Sequence, residues 1–125
     1  MKDKLLAYST IFITIACTVF GQIMMKWRVI GLGPLPADTG GKVQYVGRAL
    51  LDPGILAGLF AGLIAAASWI VAMTKFPLSF AYPFMGLNFV IVVLISRVVF
   101  NEPISTFRAL GVGLIVLGTF FISRS

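Results

Sequence analysis

Thr14, Thr18 and Gln22 recur every four residues through the first long apolar stretch of the chain, and Lys26 follows at the same interval. Residues four apart share a helix face, so the series forms one polar stripe that ends in a cation. Ser68, Trp69, Tyr82, Asn88 and Ser96 are further groups able to hydrogen-bond within apolar surroundings, and Arg97 and Glu102 stand just beyond them. Such groups bind ligands rather than break bonds. The amides of Gln22 and Asn88 are the strongest candidates for ligand contact, because an amide in hydrocarbon is costly unless something hydrogen-bonds to it. The stripe has a second reading, in which it bonds across to Ser68 or Asn88 and holds helices together. Lys26 and Arg97 suit either an anionic ligand or snorkelling to lipid headgroups.

Catalysis is a poor fit. The chain has no histidine, one cysteine and only four acidic residues, Asp3, Asp38, Asp52 and Glu102. These offer no paired carboxylates and no metal-ligand cluster, and the residues call for no cofactor. The lone Cys17 permits no internal disulfide and reads as a packing residue. A net charge of +6 would suggest nucleic acid in a soluble domain, but the ten basic residues are scattered singly, without a basic stripe interleaved with aromatics. No nucleic-acid partner is implied, and flanking charges of membrane spans explain the excess.

The elements that must position these groups are membrane helices. With 125 residues, 59% hydrophobic content and mean hydropathy of +1.03, the chain cannot hide its apolar side chains in one water-soluble core. A bilayer core of about 30 Å takes about 20 residues of helix. Residues 5–25, 54–74, 78–98 and 104–122 meet that requirement, which predicts an all-α, integral membrane bundle of four spans in one domain. The first span follows Lys2 and Lys4 as a signal peptide would, but its length and its run into Met24, Met25, Lys26 and Trp27 predict an uncleaved helix. Residues 28–53 form a Gly- and Pro-rich interfacial loop, in which Val43, Val46 and Leu50 suit either a short surface helix or a single turn. Asp52 and Pro53 are a helix-start signal, Pro83 should bend the third span and free the carbonyl of Ser79, and Ser105 can cap the fourth. Lys2, Lys4, Lys75 and Arg124 lie on one side and Lys26, Arg28, Lys42, Arg48, Arg97 and Arg108 on the other, a small excess favouring cytoplasmic long loops that vanishes if Lys26 and Arg97 are placed for function.

Four spans make about half of an inverted-repeat transporter, whose site lies between two such halves, so a second subunit is expected. Gly54, Gly58 and Gly62 on span two read as close packing within the bundle. The order Ala81-Tyr82-Pro83, Leu87-Asn88-Phe89, Asn101-Glu102-Pro103-Ile104-Ser105 and Gly111 to Gly118 resembles the drug/metabolite transporter superfamily, in its four-span, small multidrug resistance-like (EamA-like) branch. Gly21-Gln22-Ile23-Met24-Met25-Lys26 narrows the likeness to the small subunits of the 4-amino-4-deoxy-L-arabinose-phosphoundecaprenol flippase. The likeness covers all four spans but not the long first loop. It implies a small multidrug resistance-like fold and subunit contacts through Gly111 to Gly118. It also implies either a homodimer, antiparallel as in that family, or a heterodimer with a sister four-span subunit.

The resemblance further implies a bacterial inner-membrane transporter that flips an undecaprenyl-phosphate-linked amino sugar for lipopolysaccharide or lipid A modification. For such a substrate Lys26 and Arg97 would meet the phosphate, Thr18, Gln22 and Asn88 the sugar hydroxyls, and Trp69 and Tyr82 a sugar face. Glu102 has two readings, a pair with Arg97 or Arg108 that caps span four, or a contact to the amino group. The alternative function is export of small cations or metabolites in the manner of the small multidrug resistance proteins. Against it, Thr18 stands where their intramembrane glutamate would be and Met85 where their substrate-stacking tryptophan would be, and no carboxylate lies within a span to exchange protons. A third possibility is an accessory protein that helps a larger membrane enzyme assemble, in which case alanine at Gln22 or Asn88 should not affect lipid transport.

Overall fold

A computed structural model describes residues 2–125. They form six helices: α1 (Lys2–Leu32), α2 (Thr39–Leu51), α3 (Pro53–Lys75), α4 (Leu78–Phe84), α5 (Leu87–Val99) and α6 (Thr106–Ser123). Helices α1, α3, the α4–α5 pair and α6 are each long and apolar enough to cross a membrane, which gives the all-α, four-span architecture expected from the sequence.

Helix α1 continues to Leu32, past residue 28, where the sequence reading opens the interfacial loop. Nothing between Trp27 and Leu32 forbids helix, and the stop comes at Gly33, whose φ of +88° is left-handed, followed by Pro34. At about 1.5 Å per residue, 31 residues exceed the bilayer core, so the last turns of α1 project beyond it. Of the two readings for the loop, the helical one holds: α2 starts from Asp38, whose side chain accepts the Gly41 N–H at 2.9 Å. The Tyr45 hydroxyl ties α2 back to the end of α1 by donating to the Gly33 carbonyl at 2.8 Å.

Helix α3 begins as the Asp52-Pro53 signal predicts, the Asp52 carboxylate accepting from Gly54 N–H at 2.9 Å and Ile55 N–H at 3.2 Å. The core lies chiefly between α1 and α3. Ala7, Ile11, Ile15 and Val19, four residues apart, bury one face of α1, while α3 presents the small buried residues Gly58, Ala61, Ala65 and Ala72. Lipid is as apolar as these side chains, so close van der Waals approach rather than water exclusion holds the pair together. The approach is tightest at Gly21 and Gly58. A Cβ on Gly21 would lie 2.9 Å from the Gly58 carbonyl oxygen, and one on Gly58 would lie 3.0 Å from that of Gly21.

The third span is in two pieces. Pro83 stays within α4, and the interruption falls at Met85 and Gly86, slightly beyond the bend expected at Pro83. There the backbone tightens into three-residue hydrogen bonds, Met85 N–H to Tyr82 C=O, Gly86 N–H to Pro83 C=O and Asn88 N–H to Met85 C=O, all 2.9–3.0 Å. Helix α6 packs on this region: the Thr119 hydroxyl, which donates to Ile115 C=O at 2.8 Å, lies 3.4 Å from the Pro83 carbonyl.

Helix α5 ends with Asn101 at φ 59° and Glu102 N–H reaching back to Ser96 C=O at 3.2 Å, a left-handed helix stop. Ser105 caps α6 by accepting the Arg108 N–H at 3.1 Å, as its position predicts. The pairing expected of Glu102 is not formed. Arg97 donates to Asn101 Oδ1 at 2.9 Å and Arg108 to the Pro103 carbonyl at 3.0 Å, because the tight turn carries both acceptors closer to the guanidinium groups than the Glu102 carboxylate. Among the described residues the one ion pair is Arg28 with Asp52.

Candidate substrate groove

Span one turns its polar stripe past two surroundings. Thr14 is buried and donates to the carbonyl of Thr10 at 2.7 Å, so its hydroxyl is satisfied within its own helix. One and two turns further on, Thr18 and Gln22 face a cavity of about 670 Å³. Trp69 of α3, Tyr82 of α4 and Asn88 of α5 line the same cavity, together with Pro83, Met85, Gly86, Phe89 and Val92. Five of the eight candidate residues, drawn from three spans, therefore share one space. Tyr82 and Phe89 are about two-thirds exposed, so the cavity opens sideways on the α4–α5 side as a groove.

The interruption at Met85 and Gly86 produces this geometry. It offsets α5 from α4, so that Tyr82 before it and Asn88 after it both reach the groove. Trp69 and Tyr82 meet edge to face, with ring centroids 6.2 Å apart at 69°, which leaves ring surface for a ligand. The Asn88 Oδ1 is buried and receives no hydrogen bond, so the reading in which the stripe bonds across to Asn88 as glue is not realised at this atom. A buried acceptor without a donor carries its full desolvation cost, and a ligand N–H or O–H entering the groove would relieve it.

The groove walls carry no charge. They offer two hydroxyls, two amides and three aromatic rings, a set suited to hydrogen-bonding and stacking on a polar, neutral-faced ligand such as a sugar. No group of three or more metal-ligating side chains gathers among the described residues.

The other three candidates lie outside. Lys26 is exposed one turn beyond Gln22 on the same side of α1, and Arg97 is exposed and engaged with Asn101. Glu102 lines a separate small pocket with Ser96 and Arg108, which shares only Val92 with the groove. Sequence reasoning missed the Arg28 and Asp52 pair, which joins residues 24 apart without any local pattern to reveal it. Arg28 and the helix N–H groups of Ile55 and Gly54 hold the Asp52 carboxyl below the usual carboxylate range, against an opposing effect of burial.

A four-span helical bundle with an uncharged polar groove open to the side defines a small multi-pass membrane transporter. The model of the EamA-like transporter family matches residues 4–124, and the chain belongs to that family. Membership places it in the inner membrane and among transporters rather than enzymes.

The chain is similar to a protein of Pseudomonas syringae pv. syringae (strain B728a) named as a probable 4-amino-4-deoxy-L-arabinose-phosphoundecaprenol flippase subunit ArnE. The two are 35% identical over 109 residues, 86% of this chain and 91% of that one. It is similar also to the probable ArnF subunit of Shewanella sediminis (strain HAW-EB3), 34% identical over 110 residues, 81% of this chain and 76% of the relative. A probable ArnE subunit of Aeromonas hydrophila subsp. hydrophila is 31% identical over 105 residues, 84% and 86% of the two chains. All three are named as subunits of an assembly. No solved structure matches the chain.

Proposed function

We propose that this chain is one subunit of a flippase that moves an undecaprenyl-phosphate-linked amino sugar between the leaflets of the inner membrane, in the service of lipid A modification. The observation that carries the reading is the unpartnered Asn88 Oδ1, buried beside Gln22, Thr18, Trp69 and Tyr82 in a neutral groove open to the side. The sugar hydroxyls and amino group supply the donors that Asn88 lacks, and the rings take a sugar face. Most of the polyprenyl chain stays in lipid, so a lateral groove suffices where a closed pore would not.

Lys26, one turn from Gln22, is the first cation an arriving phosphate meets, and Arg97 the second; Glu102, outside the groove at the same membrane face, meets the amino group on its way in, before the sugar reaches Asn88. A second four-span subunit, identical or a sister, completes the path. Helix α6 suits that contact because Gly111, Gly113 and Gly118 have nothing packed against them and Leu114, Leu117 and Phe121 are exposed. Export of cations by proton exchange finds no support, since the groove walls include no carboxylate.

The test is translocation in proteoliposomes, with this chain alone and with a sister subunit, of a polyprenyl-phosphate amino sugar loaded in one leaflet. Substrate reaching the opposite leaflet, and failing to do so with Asn88→Ala, is the expected result. Equal translocation by the variant would return the chain to an accessory role.

A further inference from the structure

A second groove, of about 490 Å³, runs between α1 and α3. It shares Thr18, Gln22, Trp69 and Met85 with the first, so the two adjoin across those residues. Beyond those shared residues its walls are almost wholly apolar or small, Leu59, Leu63 and Gly62 among them. Gly62 is the informative position. Gly58, one turn before it, is locked against Gly21, and Gly54 lies against the Arg28 side chain, so both are consumed by packing within the bundle. A Cβ on Gly62 would meet nothing within 4 Å. The fold therefore does not require glycine there, although glycine inside a helix costs stability relative to alanine.

We infer that this groove seats the first isoprene units of the lipid chain while the sugar occupies the neighbouring polar groove, and that Gly62 keeps its floor low enough to admit them. The inference rests on the flippase reading and adds to it the place of the tail. Adjacency selects this occupant: a ligand whose polar head touches Gln22 and Trp69 has its apolar remainder within reach of the apolar groove that the same two residues border. A second copy of the chain is the weaker occupant, because only one glycine of the Gly54, Gly58 and Gly62 series remains free for helix approach, whereas α6 offers three.

The experiment measures binding of two probes to the purified full chain in detergent, undecaprenyl phosphate and, as the short probe, an amino-sugar 1-phosphate that carries no isoprene unit. Gly62→Leu should weaken binding of the long probe about tenfold, the equivalent of roughly two buried methylenes, and leave the short probe unchanged. Gly62→Ala should show a smaller loss in the same direction, which guards against a folding defect in the larger variant. Unchanged long-probe binding in Gly62→Leu overturns the tail groove, as does an equal loss for both probes. A shift in sedimentation with binding intact overturns it in favour of a subunit contact. If the unaltered chain binds neither probe, the flippase reading itself fails, an outcome distinct from the others.

Discussion

The Arg28 guanidinium grips the Asp52 carboxylate with two parallel hydrogen bonds, Nε to Oδ2 at 2.9 Å and Nη2 to Oδ1 at 2.8 Å, while the same carboxylate caps α3. One side chain thus fixes the start of span two and clamps it to the end of span one, in the fork geometry that arginine supplies and lysine does not. Asp52→Asn should keep much of the cap and lose the pair, Asp52→Ala should lose both, and Arg28→Lys should lose the second hydrogen bond. Thermal unfolding in detergent should rank the alanine variant as the least stable of the three.

The same residue sets a pH dependence. Its carboxyl is held below the ordinary range, chiefly by the Arg28 hydrogen bonds, so the folded chain binds fewer protons there than the unfolded chain. The stabilisation is therefore complete above the ordinary carboxylate pKa of about 4 and is lost as pH falls through the lowered folded value. In a melting series from neutral to acidic pH, Asp52→Asn should flatten the acid limb; an unaltered limb would remove Asp52 as its source.

Gly21 and Gly58 touch backbone to backbone, so there is no side chain to move aside. Gly21→Ala should force the two helices apart at a cost of about 1–3 kcal/mol, whereas alanine at Gly118, which meets nothing, should change the stability of the isolated chain little. Denaturation in detergent of the two variants side by side makes the comparison.

Asn88→Leu should separate stability from transport. Replacing a buried, unpartnered acceptor with an apolar group of similar size removes a desolvation cost of about 1–3 kcal/mol, so the variant should melt no lower than the parent. Lipid translocation should nonetheless be lost. A variant that melts much lower would mean that the amide is a structural group.

For Lys26→Gln, loss of one charge-assisted contact to phosphate should weaken binding of phosphorylated polyprenol by about tenfold, with a shallower salt dependence. Arg97→Gln should do less by itself, since the guanidinium already engages Asn101. Parallel binding curves at low and high salt distinguish these effects from simple snorkelling, which would leave affinity unchanged.

Much of the fold was legible because its signals are local. Four apolar runs gave the spans, Asp52-Pro53 and Ser105 gave two helix starts, and the four-residue interval put Thr18 and Gln22 on one face. The extension of α1 to Leu32 was hidden by reading the Gly- and Pro-rich composition of residues 28–53 as loop from its first residue, when the helix stops only at Gly33. The interruption after Pro83 fell later than expected because tightened turns, not the proline ring alone, set its place. Thr18 and Gln22 share a helix face, which the four-residue interval reveals, and they meet Trp69, Tyr82 and Asn88 at the side of the bundle where the groove opens. Lys26, Arg97 and Glu102 stand apart because positions at span ends depend on turn geometry, and pairing across 24 residues leaves no periodic trace.

Tyr82 and Asn88 are mounted on opposite arms of the joint at Met85 and Gly86. A few degrees of rotation at that point would change the gap between ring and amide, with Phe84, Met85 and Leu87 repacking against the core of Ile11, Ile15, Val19, Ala72 and Ala81. A grip that tightens or loosens through one pivot can hold a headgroup in one posture and release it in another.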